Sequence, residues 1–445
     1  MFADLKAAFD KVDRETMWSI IRRKGIKEQL VRRIAKMYEG TEVMVRTEQG
    51  YTESFITGKG LRQGCVMSPF LFNLYIAELG EKMEGRNIGG VAIGRLRIWS
   101  LAYADDIVLI ANNRDAMLDM IGTFKRFLTE RKLELCPEKK MLVVNRKRKE
   151  GTEKWKWGEK MIEEIKSFKY LGYVLNGNGN SKEHVKKLCG KGKIVARKVW
   201  GLGERIYRND FKRRWILFKY LVQSVMSYGV ELWGWEEKDN LEKVMMDYVR
   251  WIFGLEFCTP RYIITRELVM DKLRVGWGIR ARRYENRIKE GRAGDIGKEC
   301  WREKEQYDWK DEYGKERERY YNRNGWGIEA REVREIGEYD LEAELIKRER
   351  EVQRQWENGR IDKARYNKRY REIDLKGRMP RYLEVRNIAN SSRGNEVRAM
   401  IKLRCGNLEQ ANKYWMFEGQ WACLFCGKGS DSMDHYVKEC EESRE

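Results

Sequence analysis

The sequence predicts an α+β domain followed by mainly helical ones. Three observations carry this. Strand-like and helix-like segments follow one another in a β-α-β-β-α-β order up to about residue 175. Residues 181–260 space their apolar residues as helices do, and only 4 Pro occur in 445 residues. Residues 301–370 hold 18 basic and 18 acidic residues, a composition of long charged helix or linker rather than of sheet. The chain is longer than one core usually holds, so roughly two to four domains are expected.

Each element has a local reason. Residues 1–10 begin as a strand fragment. Asp13 can cap a helix whose Met17, Ile20 and Ile21 share a face, with Gly25 as its stop. A second helix carries Leu30, Val31, Ile34 and Tyr38 and ends at Gly40. EVMVRTEQGYTESFIT alternates like a β-hairpin with its turn near Gly50. Ser68-Pro69 is a cap followed by a first-turn proline, leading into FLFNLYIAEL. RLRIWSLAYADDIVLIA reads as two strands with an acidic turn between them. A helix over 114–133, a strand MLVVN and a strand SFKYLGYVL complete the domain. Downstream, Trp215, Phe218, Leu221, Val222 and Val225 build apolar helix faces, and YGVELWGW (Tyr228 to Trp235) reads as packing.

Composition excludes several classes. Lys and Arg number 91 against 70 Asp and Glu, a formal charge of +21 that calls for a polyanionic partner, most simply nucleic acid. The excess is local: residues 181–220 hold 13 basic and 3 acidic residues. Aromatic residues Trp200, Tyr207 and Trp215 interleave with them. No apolar run approaches the ~18 residues of a membrane span, and MFADLKAAFD is too acidic for a signal peptide. The 9 cysteines are odd in number and mostly scattered, so they read as reduced thiols of an intracellular protein. Cys65, Cys136, Cys189, Cys258 and Cys300 read as isolated buried thiols. With only two histidines, His184 and His435, multi-histidine chemistry is not expected.

Two clusters carry chemistry. Asp4 ends a strand fragment, and Asp105-Asp106 stand in YADD between apolar strand residues. Adjacent carboxylates in a tight turn repel each other unless a cation or a proton offsets them. If neighbouring strands bring Asp4 to the pair, the three form a hard oxygen-donor site suited to Mg²⁺. Two such ions, ~4 Å apart, can activate a hydroxyl and stabilise a leaving pyrophosphate. The bland alternative is a polar hairpin turn and an unrelated cap. The second cluster is Cys423-x2-Cys426-x8-His435-x4-Cys440. Four N/S ligands without an oxygen donor point to structural tetrahedral Zn²⁺. Cys405 is a weaker substitute ligand.

FADLKAAFD, GLRQGCVMSPFLF, AYADDIVLIA, LCPEKK and FKYLGYVL occur in that order. This resembles the palm of reverse transcriptases, specifically those of non-LTR (LINE-type) retrotransposons. The resemblance is strong over 1–175 and weaker to about 290. It implies a polymerase palm, a ferredoxin-like antiparallel sheet with helices, over 1–178, and a helical thumb with downstream helices over 179–290. A charged helical linker region over 291–400 and a small zinc-binding segment over 401–445 would follow. Asp4, Asp105 and Asp106 would hold two catalytic Mg²⁺ ions. Phe9 would crowd the sugar 2′-carbon and favour deoxynucleotides. Arg62, Gln63 and Gly64 would pack against incoming nucleotide and template. Lys139, with Lys140 as a rival, would approach the triphosphate, and the Phe168–Gly172 hairpin would grip the primer. Lys186, Lys187, Lys191, Lys193, Arg197, Lys198, Arg213 and Arg214 would contact phosphates from the thumb.

The implied reaction is RNA-directed DNA polymerisation, with RNA template, DNA primer and dNTPs as partners. The resemblance has a gap. Family members carry a fingers region before the first Asp motif, whereas Asp4 follows Met1 by three residues. A chain N-terminally truncated relative to the family, with weak or no polymerase activity alone, is therefore expected. The alternative is an inactive retroelement remnant that only binds nucleic acid.

Overall fold

The computed structural model describes residues 1–87, 89–136, 140–142, 155–307, 311–327, 340–364, 370–371, 373, 379–405, 422–423, 426–429 and 435–443. The chain divides into two compact units. The first comprises Met1–Tyr170, Val174–Gly179 and Gly291–Tyr307. The second comprises Leu171–Tyr173, Asn180–Glu290 and Asp308–Glu445. It is a mixed α+β chain, with the large sheet in its N-terminal part and helices dominating the C-terminal part.

The first unit is built on a six-stranded sheet. Its order is Trp155–Trp157, Lys160–Ile165, Lys140–Leu142, Phe2–Asp4, Asp106–Leu109 and Ser100–Tyr103. Phe2–Asp4 lies between two antiparallel neighbours, with Phe2 opposite Val108 and Asp4 opposite Asp106. One pairing, Lys140–Leu142 with Lys160–Ile165, is parallel, so the sheet is not antiparallel throughout. The hairpin Trp155–Trp157/Lys160–Ile165 has no counterpart among the elements expected from sequence. Its KWKWGEKMIEEI sequence is dense in charge. Its strand character is visible only in Trp155 and Ile162, which are buried and face each other in register.

Helices cover the sheet for the local reasons read from sequence. Asp13 caps Arg14–Arg23, its Oδ1 accepting from the Thr16 amide at 2.9 Å. Lys132 and the Thr16 donors hold the Asp13 carboxyl down at about 2. Met17, Ile20 and Ile21 are buried. Gly25 follows the helix in the left-handed region at φ +82. In Glu28–Tyr38, Val31 and Tyr38 are buried, but Leu30 is exposed, so the apolar face is narrower than expected. Ser68–Ile76 starts with Pro69 in its first turn. Asn113 caps Arg114–Glu130, and Phe72, Tyr75, Phe124 and Phe127 fill the core beneath. The expected hairpin around Gly50 forms as two short ladders, Glu42–Val43 with Phe55–Ile56 and Arg46–Thr47 with Gly50–Tyr51.

The second unit packs Lys182–Ile206 against Asp239–Phe253, with Phe218, Val222, Met226 and Trp233 between helices. Trp233 and Trp235 are fully buried. Within the charge-balanced region, which forms helices where it is described, several charged side chains are buried rather than solvated. Glu349, on the Leu341–Asp362 helix, is fully buried and accepts from Arg323 Nη2 at 2.7 Å and Asn324 Nδ2 at 2.8 Å. Arg317 Nε donates to buried Glu285 at 2.7 Å. Glu267 accepts from the Tyr370 hydroxyl at 2.9 Å and from Arg404. A mixed run of charges reads as surface, whereas tertiary pairing buries one carboxylate per group of donors.

Glu242 is buried at the start of the Leu273–Lys289 helix, accepting from the Leu273 amide at 2.7 Å. Burial, reinforced by Glu237, outweighs that bond and raises its carboxyl from 4.5 to about 7. The folded chain therefore holds a proton the unfolded chain has lost. Stability from this group is full below about pH 4.5 and is lost as pH rises through about 7. Glu242→Gln removes that penalty. Thermal unfolding should place the variant above the parent at pH 8, by ~3 kcal/mol, and level with it near pH 4.5. Equal midpoints at pH 8 would refute the assignment.

Candidate active site and metal centres

The two distant acidic segments meet. Asp4 is the Cα partner of Asp106 across adjacent antiparallel strands, a separation of ~5 Å. The Leu5 amide donates to the Asp105 carbonyl at 3.3 Å, so Asp105 is held beside the same strand end. Tyr103 and Asp106 are themselves paired, which leaves Ala104-Asp105 as a two-residue turn. Ala104 sits at φ 53, a left-handed conformation costing ~1–2 kcal/mol for a residue with a Cβ. Burial, then the charges of Asp105 and Asp4, raise the Asp106 carboxyl. This surplus of negative charge, on hard oxygen donors, is what divalent cations neutralise.

Two residues around the site are not identified by the sequence. Cys136 donates its amide to the Asp4 carbonyl at 2.8 Å. Its thiol is raised by burial and by hydrogen bonding to the Asp4 carboxylate. Cys136 belongs to the LCPEKK block, which is a signal, yet in isolation it reads as one more buried thiol. Cys65 and Cys300 are likewise only partly buried and Cys258 is exposed; of the five so read, Cys189 alone is buried. The other residue is Arg14. Its Nε donates to the Gly60 carbonyl at 2.9 Å, and its Nη1 to the carbonyls of Tyr38 at 3.0 Å and Thr57 at 2.7 Å. Nothing in one helix-start arginine announces three carbonyl partners from distant loops.

Phe9 is partly buried and stacks on Phe72 with ring centroids 4.8 Å apart. Its carbonyl accepts from the Leu61 amide at 2.8 Å, which ties it to the loop carrying the next three positions. Arg62, Gln63 and Gly64 are exposed. The Arg62 guanidinium lies 5.6 Å from the Tyr38 ring centroid and donates to Thr41 Oγ1 at 3.3 Å. Gln63 Nε2 donates to Asp10 Oδ1 at 3.0 Å. Gly64 has φ +81. Lys139 lies outside the described residues, while Lys140 pairs with Glu163.

The Phe168–Gly172 segment forms a hairpin, Ser167–Tyr170 with Tyr173–Asn176. Both turn residues, Leu171 at φ 46 and Gly172 at φ 82, are left-handed, as a tight twisted hairpin requires. Phe168 stacks on Phe2 at 4.3 Å, two residues before Asp4. Burial, then the Asp106 charge, raises the Tyr170 hydroxyl.

The basic helix Lys182–Ile206 presents Lys186, Lys187, Lys191, Lys193, Arg197 and Lys198 exposed. Lys187 pairs with Glu183 at 3.3 Å. Arg213 is exposed and pairs with Asp210 at 3.1 Å. Arg214 does not fit its expected role. It is 0% exposed, with Nη1 bonded to Glu204 at 2.6 Å and to the Arg208 carbonyl at 3.0 Å. Arg213 and Arg214 are adjacent and so point to different sides of the helix. Arg214 is core structure, not a phosphate contact.

Cys423, Cys426, His435 and Cys440 converge, their ligand atoms all within 4.8 Å of one another. Cys423 Sγ and Cys440 Sγ are 3.6 Å apart, and Cys426 Sγ and His435 Nε2 3.3 Å. The Gly429 and Lys428 amides, with His435, hold the Cys426 thiol down at about 6. A thiolate poised in this way suits a soft cation. A Cβ on Gly429 would lie 1.9 Å from His435 Cε1, so only glycine leaves room for the imidazole. Cys405 is buried outside the group.

Residues 1–175 match the family described as reverse transcriptase (RNA-dependent DNA polymerase). A retrovirus-related Pol polyprotein from the type-1 retrotransposable element R2 of Nasonia vitripennis is 27% identical over 186 residues, 40% of this chain and 18% of that protein. The corresponding polyprotein from type-2 element R2DM of Drosophila melanogaster is 27% identical over 136 residues, 31% of this chain and 13% of that protein. The uncharacterized 149 kDa protein of transposon TX1 from Xenopus laevis is 31% identical over 111 residues, 25% of this chain and 8% of that protein. The chain spans about a fifth or less of these relatives' lengths. No described helix is long and apolar enough to cross a membrane. With the acidic strand pair, the arginine–glutamine loop and the hairpin all inside the matched region, residues 1–175 are a reverse transcriptase domain related to those of the non-LTR retrotransposon R2 and TX1 Pol proteins.

Proposed function

We propose that this chain is the RNA-directed DNA polymerase core of a non-LTR retrotransposon protein, adding deoxynucleotides to a DNA primer 3′-OH on an RNA template. The observation that carries the proposal is the register of Asp4 opposite Asp106 at the YADD turn. Asp4, Asp105 and Asp106 would hold two Mg²⁺ ions, which supply activation of the primer hydroxyl and neutralisation of the triphosphate. The protein's own part is positioning. Phe9, braced on Phe72, offers a ring edge against a sugar 2′-OH. Arg62 is held by Tyr38 and Thr41 as a donor for phosphate or base, and Gln63 is held by Asp10. Gly64 lets backbone approach the nucleotide. Lys139 is assigned the leaving pyrophosphate on the family pattern alone. The hairpin around Leu171–Gly172 is assigned to the primer strand, its Phe168 docked on Phe2. The Lys182–Ile206 helix plays the thumb, its exposed lysines and Arg197 meeting duplex phosphates. Cys423, Cys426, His435 and Cys440 would together supply the four ligands of a structural Zn²⁺, which would stabilise the fold of this segment.

Primer extension on poly(rA)/oligo(dT) with Mg²⁺ tests the reading. Asp105→Asn should cut extension about a hundredfold or more while leaving template affinity within about twofold. Extension that survives this change sinks the carboxylate assignment. A parent chain that binds template-primer but extends nothing favours a nucleic-acid-binding remnant instead.

The zinc assignment has its own check. Metal analysis of purified protein should find one zinc per chain, and Gly429→Ala should lose it because of the His435 clash. Full zinc occupancy in that variant rules out the ligand set.

A further inference from the structure

We infer that Trp200 and Trp251 form a stacking platform for a single-stranded nucleic acid, beside the cationic row of the Lys182–Ile206 helix. This rests on the nucleic-acid reading above and adds a base-contacting site to it. The helices Lys182–Ile206 and Asp239–Phe253 run side by side in register. Cys189 Sγ donates to the Asn240 carbonyl at 3.4 Å, 51 positions apart. Two to three turns further on, Trp200 meets Trp251 edge to face, with centroids 6.3 Å apart. Trp233, Trp235 and Trp277 of this unit are at most 1% exposed. Trp200 and Trp251 are 37% and 39% exposed, side by side, where the seam between the helices reaches the surface. An exposed tryptophan pair costs solvation unless something covers it.

What covers it is set by the surrounding charge. Lys186, Lys193, Arg197 and Trp200 follow at intervals of seven, four and three residues, so they share one helical face. All are exposed, and among the described residues Lys186, Lys193 and Arg197 make no ion pair. On the other helix, Lys243 is exposed, its Nζ 5.5 Å from the centroid of the exposed Phe257 ring. Cations flanking flat, half-exposed π faces match a strand of phosphates with splayed bases. Each base stacked on such a face is worth ~1–3 kcal/mol, whatever its identity. A protein partner could also pack on the tryptophans, but it would need a run of acidic residues to meet the lysine row, whereas a nucleic-acid strand carries a phosphate at every nucleotide. A duplex keeps its bases stacked on each other and offers phosphates only.

The test is fluorescence anisotropy with the full chain. The probes are a labelled oligouridylate of about 20 nucleotides, the matching oligothymidylate, and a duplex of the same length, each over a salt series. Trp251→Leu keeps an apolar side chain and removes the π face; Trp251→Phe keeps a smaller aromatic face. Leucine should weaken single-strand binding about tenfold without changing the slope of log affinity against log salt, and phenylalanine should stay near the parent. Duplex binding should not move. Lys193→Gln with Arg197→Gln should instead flatten the slope, by ~1 for each phosphate no longer neutralised. RNA and DNA strands losing affinity alike fits stacking; loss confined to RNA also fits and assigns the platform to template. Equal loss for single strand and duplex, or leucine binding as tightly as the parent, overturns the platform and leaves a protein-facing patch. A parent chain that binds none of the probes refutes the nucleic-acid reading itself.

Discussion

The antiparallel register between Phe2–Asp4 and Asp106–Leu109 is the constraint on which the rest of the first unit depends. It places two acidic residues directly opposite each other, and like charges so placed are destabilising. A slip of one residue would send Asp4 to the other side of the sheet. The same alternation puts Phe2 on the face of its strand that Asp4 occupies. Its stacking on Phe168 therefore seats the Ser167–Tyr170 strand next to the acidic site rather than behind it. The electrostatics of the acidic site and the placement of a hairpin far along the chain are thus consequences of one pairing.

A second node, Arg14, does for the loops what that register does for the strands. Its guanidinium satisfies three backbone carbonyls, so the C-terminal end of the Glu28–Tyr38 helix and the Thr57–Gly60 segment share one anchor. Gly60 lies so close to Asp10 that a Cβ would come within 2.9 Å of its carbonyl oxygen, at a φ of +83 that other residues resist. Phe9, Asp10 and the Arg62–Gly64 loop are packed through this point. Charge-assisted bonds to backbone carbonyls are short-range and geometrically strict, which makes them suited to fixing loop positions.

In the second unit the organising groups are buried carboxylates. Glu267, Glu285 and Glu349 each collect hydrogen-bonding side chains from segments far along the chain. Burying an ion costs several kcal/mol, and removing one partner leaves that cost uncompensated. Such groups favour one arrangement of helices over alternatives of similar apolar content. Arg214 follows the same rule: with Glu204 and the Arg208 carbonyl as partners it is more use inside than outside.

Local rules decide structure where neighbours in sequence are neighbours in space. The Asp13 cap, the Pro69 helix start, the Gly25 stop and the YADD turn are settled within a few residues, by hydrogen-bond reach or fixed φ, and the Cys₃His spacing is legible in one short segment. Motif order is equally legible, and it is what ties residues 1–175 to their family. Long-range placement is not. Charge density alone cannot say that Arg214 is buried while Lys193 is exposed, because both are cations of the same basic stretch. Nor can spacing show Asp4 opposite Asp106, the parallel edge beyond Lys140–Leu142, or Trp200 beside Trp251 at the surface. Those depend on which elements pack together, a property of the whole core that no window of residues contains.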